Sequence, residues 1–131
     1  MDFASVCGDP SPRRNPQHFW GCLSQEERQR WLNRLQSLYH QIILLYFRDD
    51  PHLPERIAEF THLAYLINLP VSEILGIHVQ FMDELTKQLK LEGRSEELVL
   101  DYRLTLIDVI AHLCERYRRA LNEVPPAGEP P

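Results

Sequence analysis

The chain has 131 residues, a net charge of −5 and an apolar fraction of 44%. This length suits a single domain, and the acidic balance is not that of a nucleic-acid binder or a membrane-surface binder. The three cysteines have no C-x-x-C spacing, which argues against a disulfide framework or a zinc knuckle and favours a reducing compartment. No stretch approaches about 18 uninterrupted apolar residues, and the N-terminus does not read as a signal peptide. These features predict a cytoplasmic protein with no membrane segment.

Prolines mark the limits of the packed part of the chain. Of ten prolines, three lie in the first sixteen residues and four in the last seven, and the other three separate apolar-periodic segments. We therefore predict a tail over residues 1–23, a packed body over 24–122 and a proline-rich tail over 123–131. Residues 1–22 and 124–131 are expected to be mobile or extended.

The first two segments of the body have clear helix starts. Residues 24–47 begin with Ser24 and Glu27, the spacing of a capping box, and their apolar side chains recur at steps of three and four. Residues 54–67 begin with Pro54, whose missing N–H does no harm in the first turn of a helix.

The next two segments are separated by a short polar stretch. Residues 70–91 are followed by Gly93, which suits a left-handed helix cap, and Ser95 suits the start of a last segment over 95–121. Four helices with short connections and no strand pattern predict an all-α fold, a four-helix bundle.

The last segment carries a polar stripe on an otherwise apolar helix. On a helical wheel, six polar side chains fall within one narrow stripe: Asp101, Thr105, Asp108, His112, Glu115 and Arg119. The apolar arc covers roughly 240° of the helix circumference, whereas the apolar stripe that an ordinary surface helix turns toward its core covers about 100° or somewhat more. Three neighbouring helices cannot easily cover such an arc, so the remainder is expected to contact something else.

The simplest partner for the excess apolar surface is a second copy of the chain. The expected dimer contacts are Leu106, Val109, Ile110, Leu113 and Tyr117. The polar stripe would then line an open groove, with His112 near its middle. Two alternatives stay open at this stage: a different partner, or a central bundle helix whose few polar residues simply face water.

The sequence contains few residues in a pattern typical of a metal site or a catalytic site. Residues 59–62 read E-x-x-H, and Asp108, His112 and Glu115 share a helix face, but di-metal bundles need two E-x-x-H helices and further inward carboxylates. No nucleophile or set of oxyanion donors accompanies His112. We predict no metal, no cofactor and no enzymatic activity. The other helix histidines, His40, His62 and His78, are expected at surface or half-buried positions. Cys114 is expected in the core.

Residues 79–120, "VQFMDELTKQLKLEGRSEELVLDYRLTLIDVIAHLCERYRRA", closely resemble the C-terminal domain of the cyanobacterial circadian clock protein KaiA. The resemblance extends more loosely over "SLYHQIILLYF" and "IAEFTHLAYLINLPVSEILGIH", and so covers roughly 24–121. Full-length members also carry a receiver-like domain, so this chain is expected to be a short form or a fragment.

The resemblance implies a dimeric four-helix bundle that acts without bond chemistry. It implies binding to the C-terminal tail of the KaiC kinase at the dimer groove, which stimulates KaiC autophosphorylation, and sequestration by KaiB in complex with KaiC. The family places the histidine of "AHLCE", here His112, at the centre of the concave dimer surface. A helical-bundle metalloprotein and an unrelated dimeric helical adaptor are the alternatives.

Overall fold

The structure is a computed structural model that describes residues 14–123, and within this range it contains helices and no strand. Two single-turn 3₁₀ helices come first, at Pro16–His18 and Trp20–Cys22. The remaining elements are α1 (Gln25–Leu45), α2 (Leu53–Leu66), α3 (Val71–Leu91), the short α4 (Glu97–Asp101) and α5 (Arg103–Glu123). The predicted all-α four-helix fold is confirmed, with α4 and α5 together corresponding to the fourth predicted helix.

The helix ends follow the local signals in the sequence. Before α1, the Glu27 N–H donates to Ser24 Oγ at 3.1 Å and the Ser24 N–H donates to Glu27 Oε1 at 2.9 Å, which completes the predicted capping box. Pro54 lies in the first turn of α2. After α3, Gly93 has a φ of +68°, a left-handed conformation that favours glycine.

The core lies where α1, α2 and α5 meet, with α3 packed along α1 and α5. Leu35, Ile42 and Phe60 are fully buried, and Tyr39 packs against Phe60 with ring centroids 5.6 Å apart. His78 of α3 is also buried, contrary to the surface or half-buried position expected for it, because its Nδ1 is hydrogen-bonded to the Tyr39 hydroxyl at 2.7 Å. The side chain thus satisfies its polar atom inside the core.

The last predicted segment is not one continuous helix. It divides at Tyr102 into α4 and α5, and the Tyr102 N–H donates to the Val99 carbonyl oxygen at 3.3 Å in a 3₁₀-like step. The Tyr102 ring packs against Phe47, with centroids 5.2 Å apart. Cys114, expected in the core, is exposed on α5 because its side of this helix faces outward.

Part of the predicted N-terminal tail packs against the bundle. Trp20 is 8% exposed, and its backbone N–H donates to the Ile67 carbonyl oxygen at 2.6 Å. The rest of that tail, residues 1–13, and residues 124–131 of the predicted C-terminal tail lie outside the described residues. In the described part of the chain, no helix is long and apolar enough to span a membrane.

Candidate partner-binding face of α5

The orientation of α5 is set by its core side. Thr105 and Val109 are fully buried and Leu113 is 2% exposed, so these three side chains face the bundle interior. Thr105 was predicted in the polar stripe, but it lies at the edge of the stripe nearest the core, and its Oγ1 has no hydrogen-bond partner within residues 14–123. Val109 and Leu113 were predicted as dimer contacts, and they are already covered by the chain's own core.

The centre of the polar stripe is a hydrogen-bonded pair one helical turn apart. His112 Nδ1 lies 2.7 Å from the Asp108 carbonyl oxygen and 3.1 Å from Asp108 Oδ1. Both oxygens only accept hydrogen bonds, so Nδ1 carries the proton. Nε2 therefore accepts a hydrogen bond when the ring is neutral and donates one when it is charged. About half of the His112 side chain is exposed, so this atom can meet a partner.

A tyrosine from the end of α1 extends this pair. The Tyr46 hydroxyl donates to Asp108 Oδ2 and also lies near the Leu104 carbonyl oxygen, both at 3.3 Å. Burial raises the pKa of Tyr46, and the neighbouring Asp108 carboxylate raises it further. Tyr46 was not among the predicted site residues, because its contact with Asp108 joins residues 62 positions apart.

The other predicted stripe residues are not in one cluster with His112. Glu115 is paired with Arg118, whose Nε lies 3.0 Å from both carboxylate oxygens, and this bond lowers the pKa of Glu115. Arg119 is exposed on the same flank of α5. Asp101 is exposed but belongs to α4, across the break at Tyr102. Asp108 is thus the carboxylate that orients the His112 ring.

An exposed apolar stripe runs beside the polar flank, opposite the core side of α5. Leu104 is 55% exposed, Ile107 62% and Leu121 78%. Three of the predicted dimer residues are partly buried at the other edge of this stripe: Leu106, Ile110 and Tyr117. The structure thus leaves apolar surface on α5 uncovered, but the side chains most exposed there were not among those predicted.

Arg116 lies between α5 and α2 and was not among the predicted site residues. Arg116 is half-buried, its Nη2 lies 3.4 Å from the Ala58 carbonyl oxygen, and its Nε has no hydrogen-bond partner in the described part of the chain. Burial and the charge of Arg119 lower its pKa. Burial and the charge of Arg116 also lower the pKa of His62. A charge pattern alone gives no sign of this burial, because it depends on how α2 and α5 pack.

The E-x-x-H residues do not form a metal site in this arrangement. Glu59 forms an exposed ion pair with Arg34 at 3.4 Å, and His62 faces Arg116. Among residues 14–123, no group of three or more His, Cys, Asp or Glu side chains is placed to hold a metal ion.

A family model described as the KaiA C-terminal domain matches residues 11–124. The KaiA circadian clock oscillator protein of Thermostichus vulcanus is 50% identical over 109 residues, and that of Nostoc sp. PCC 7120 is 50% identical over 100 residues. The match to the Thermostichus protein covers 83% of this chain and 38% of that relative. The match to the Nostoc protein covers 76% of this chain and 98% of that relative. The chain thus spans well under half the length of the first relative.

Solved structures agree with this likeness. The crystal structure of the C-terminal domain of KaiA from Thermosynechococcus elongatus BP-1 has a TM-score of 0.65 and 47% identity, and the match covers 90% of this chain and 99% of that one. A crystal structure of KaiA from PCC7120 has a TM-score of 0.62 and 48% identity, and the match covers 70% of this chain and 93% of that one.

Proposed function

The chain belongs to the KaiA C-terminal domain family, and from that premise we propose that it is a circadian clock regulator acting on the KaiC kinase. In this proposal it binds the C-terminal tail of KaiC, stimulates KaiC autophosphorylation and is sequestered by KaiB in complex with KaiC. It works in the cytoplasm, as a homodimer and without catalysing a reaction itself.

The single observation that supports a binding role at α5 is the arrangement around His112. Its ring is fixed by Asp108, which is in turn held by Tyr46 from another helix, while about half of the His112 side chain is exposed. A ring oriented by its own helix loses little conformational freedom on binding, so it is suited to recognise a partner. The proposed contact residues are Asp108, His112, Glu115 and Arg119 on this flank of α5, together with Asp101 at the end of α4.

Thr105 contributes to this proposal in a different way from that first expected. Its side chain is fully buried beneath the flank, so it supports α5 and has no surface to offer a peptide. Contact with the KaiC tail therefore rests on the exposed members of the stripe.

Activation in this proposal is a difference in binding free energy. If the α5 flank binds the KaiC tail only when a regulatory loop of KaiC is extended, binding shifts KaiC toward that state. No group on this chain has to form or break a bond. An extended or helical tail would lay apolar anchors on the exposed stripe and polar groups on the flank, which would set its register.

The test is the affinity of His112→Ala for a labelled peptide of the KaiC C-terminal tail. We expect it to fall by about tenfold or more, because the variant removes the fixed polar atom at the centre of the flank. Stimulation of KaiC phosphorylation should fall with it, while far-UV circular dichroism stays the same. His40→Ala, which removes an exposed imidazole of α1, is the matched control. Normal affinity of His112→Ala would refute the assignment of this face.

A further inference from the structure

The guanidinium group of Arg14 lies among three aromatic rings. Its central carbon is 4.5 Å from the ring centroid of Tyr65, 4.8 Å from that of Phe19 and 5.2 Å from that of Tyr117. The Nη1 atom also lies 3.3 Å from the Tyr65 carbonyl oxygen and 3.3 Å from Asn68 Oδ1. We call Phe19, Tyr65, Asn68 and Tyr117 the Arg14 cage.

The cage is built by contacts among its own members. The Tyr117 hydroxyl donates to Asn68 Oδ1 at 3.1 Å, and the rings of Tyr65 and Tyr117 meet edge to face with centroids 5.0 Å apart. Asn68 has a φ of +50°, a left-handed conformation that asparagine tolerates better than most residues. Tyr65 is 4% exposed, so one wall of the cage belongs to the core.

The chemistry of the cage suits a guanidinium cation. The planar cation stacks on aromatic faces and still presents N–H donors at its edge, whereas a lysine ammonium group is compact and strongly hydrated. The oxygens that Nη1 contacts belong to a carbonyl and an amide, and no carboxylate of residues 14–123 forms an ion pair with Arg14. The rings therefore provide the attraction that a carboxylate would otherwise supply.

The cage joins three separate parts of the chain. Arg14 and Phe19 belong to residues 14–23, Tyr65 and Asn68 lie at the end of α2, and Tyr117 lies in the second half of α5. Elsewhere this N-terminal segment has little hydrogen bonding to the bundle. The Trp20 N–H donates to the Ile67 carbonyl oxygen, and Arg28 Nε donates to the Trp20 carbonyl oxygen at 3.0 Å.

We infer that the Arg14 cage is a guanidinium-binding site whose ligand is Arg14 of the same chain, and that it latches residues 14–23 onto the ends of α2 and α5. The latch is independent of the proposed KaiC contact, since none of its residues belongs to the His112 flank. Because Tyr117 is one wall of the cage, the position of the N-terminal segment and that of the second half of α5 are linked. Opening the cage loosens the segment, which is then held by the buried Trp20 and its hydrogen bonds, and does not require the bundle to unfold.

The test is amide hydrogen exchange at Trp20, whose N–H is protected by its bond to Ile67, in the full chain. Arg14→Ala should speed this exchange by about tenfold or more, since it removes contacts with three rings and two hydrogen bonds. Arg14→Lys should keep the charge and still exchange faster than the parent protein. Arg34→Ala, which removes an arginine from an exposed ion pair, should leave the rate within about twofold, the scale of a weak surface pair.

A double-mutant cycle separates the latch from general loosening. In a Phe19→Leu background, and separately in a Tyr117→Leu background, Arg14→Ala should add much less than it does alone, because the site is already broken. Phe19 lies on the segment itself, so this variant tests the latch even if Tyr117→Leu fails to fold. Unchanged Trp20 exchange in Arg14→Ala, full protection in Arg14→Lys or independent effects in the Phe19 cycle would each overturn the inference.

Discussion

At position 78 an imidazole is hydrogen-bonded to the Tyr39 hydroxyl inside the core. Burial lowers the pKa of His78, and burial together with the charge of Arg116 lowers that of His62. The unfolded chain therefore binds these protons at a higher pH than the folded chain does. Their contribution to stability is complete above about pH 6.5, the ordinary imidazole pKa, and is lost as the pH falls below it toward the folded values.

We predict that the free energy of unfolding decreases between about pH 7 and pH 5, and that His78→Gln makes this decrease shallower. Glutamine cannot titrate but can still accept from the Tyr39 hydroxyl. Urea unfolding across this range measures the slope. His40→Gln, which removes an exposed imidazole, should leave the slope unchanged. If His78→Gln has the slope of the parent protein, His78 does not carry this dependence.

Arg116 bears a charge that is half-buried and has no carboxylate partner among residues 14–123. Methionine keeps much of the length of the side chain and removes the desolvated charge. We predict that Arg116→Met leaves the free energy of unfolding unchanged or raises it by about 1 kcal/mol. Chemical denaturation measures this difference. A loss of about 2 kcal/mol or more would mean that the guanidinium group is a net stabiliser.

Some of the site residues could be predicted from the sequence and others could not. The wheel gives the angular order of side chains, so it correctly put Asp108 and His112 on one flank of α5. It does not give the angle that faces the core, and Thr105 was therefore placed on the surface although it is fully buried. The contact between Tyr46 and Asp108 depends on how α1 and α5 pack, which no local pattern encodes.

At the scale of the helix, the capping box of α1 offers a direct measurement. Ser24→Ala removes the oxygen that accepts the Glu27 N–H, and we predict a loss of about 1 kcal/mol in the free energy of unfolding. Thermal or urea unfolding will show it. Ser37→Ala is the control, because Ser37 is exposed in the middle of the same helix and alanine suits that position. Equal effects of the two substitutions would contradict the role of the cap.

Helix limits were predictable where capping residues or special glycine and proline positions set them. The limits of α1 and α3 follow from Ser24 and Gly93. The break at Tyr102 has no such signal, since the surrounding sequence has neither glycine nor proline. It is favoured by tertiary contact of the Tyr102 ring with Phe47, and by Arg103, whose Nε donates to the Leu100 carbonyl oxygen at 3.1 Å.

At the scale of the whole molecule, the fold follows from apolar periodicity, because three or four amphipathic helices have few ways to bury their faces together. The surface that remains is less predictable. Among residues 14–123, one exposed apolar stripe lies on α5 around Leu104 and Ile107 and another on α3 around Leu75 and Val79. Exposed patches of this kind mark interfaces, but periodicity does not tell which stripe meets a partner.

For the proposed homodimer we predict that the α5 stripe forms the contact, because it is continuous with the partly buried Leu106 and Ile110. A stable dimer typically buries about 800 Å² on each partner, which needs such a continuous surface. Val109 and Leu113 are buried in the chain's own core, so in the proposed dimer they would act only by fixing the rotation of α5.

We predict that Ile107→Asp yields a folded monomer at tens of micromolar, at a concentration where the parent protein sediments as a dimer. A carboxylate at the centre of a desolvated apolar contact would lose its hydration without gaining a partner. Val79→Asp is the matched control, since Val79 is 57% exposed and Ile107 62%. It should remain dimeric if the α3 stripe lies outside the interface. Dissociation by Val79→Asp but not by Ile107→Asp would move the interface to α3, and a monomeric parent protein would rule out the dimer itself.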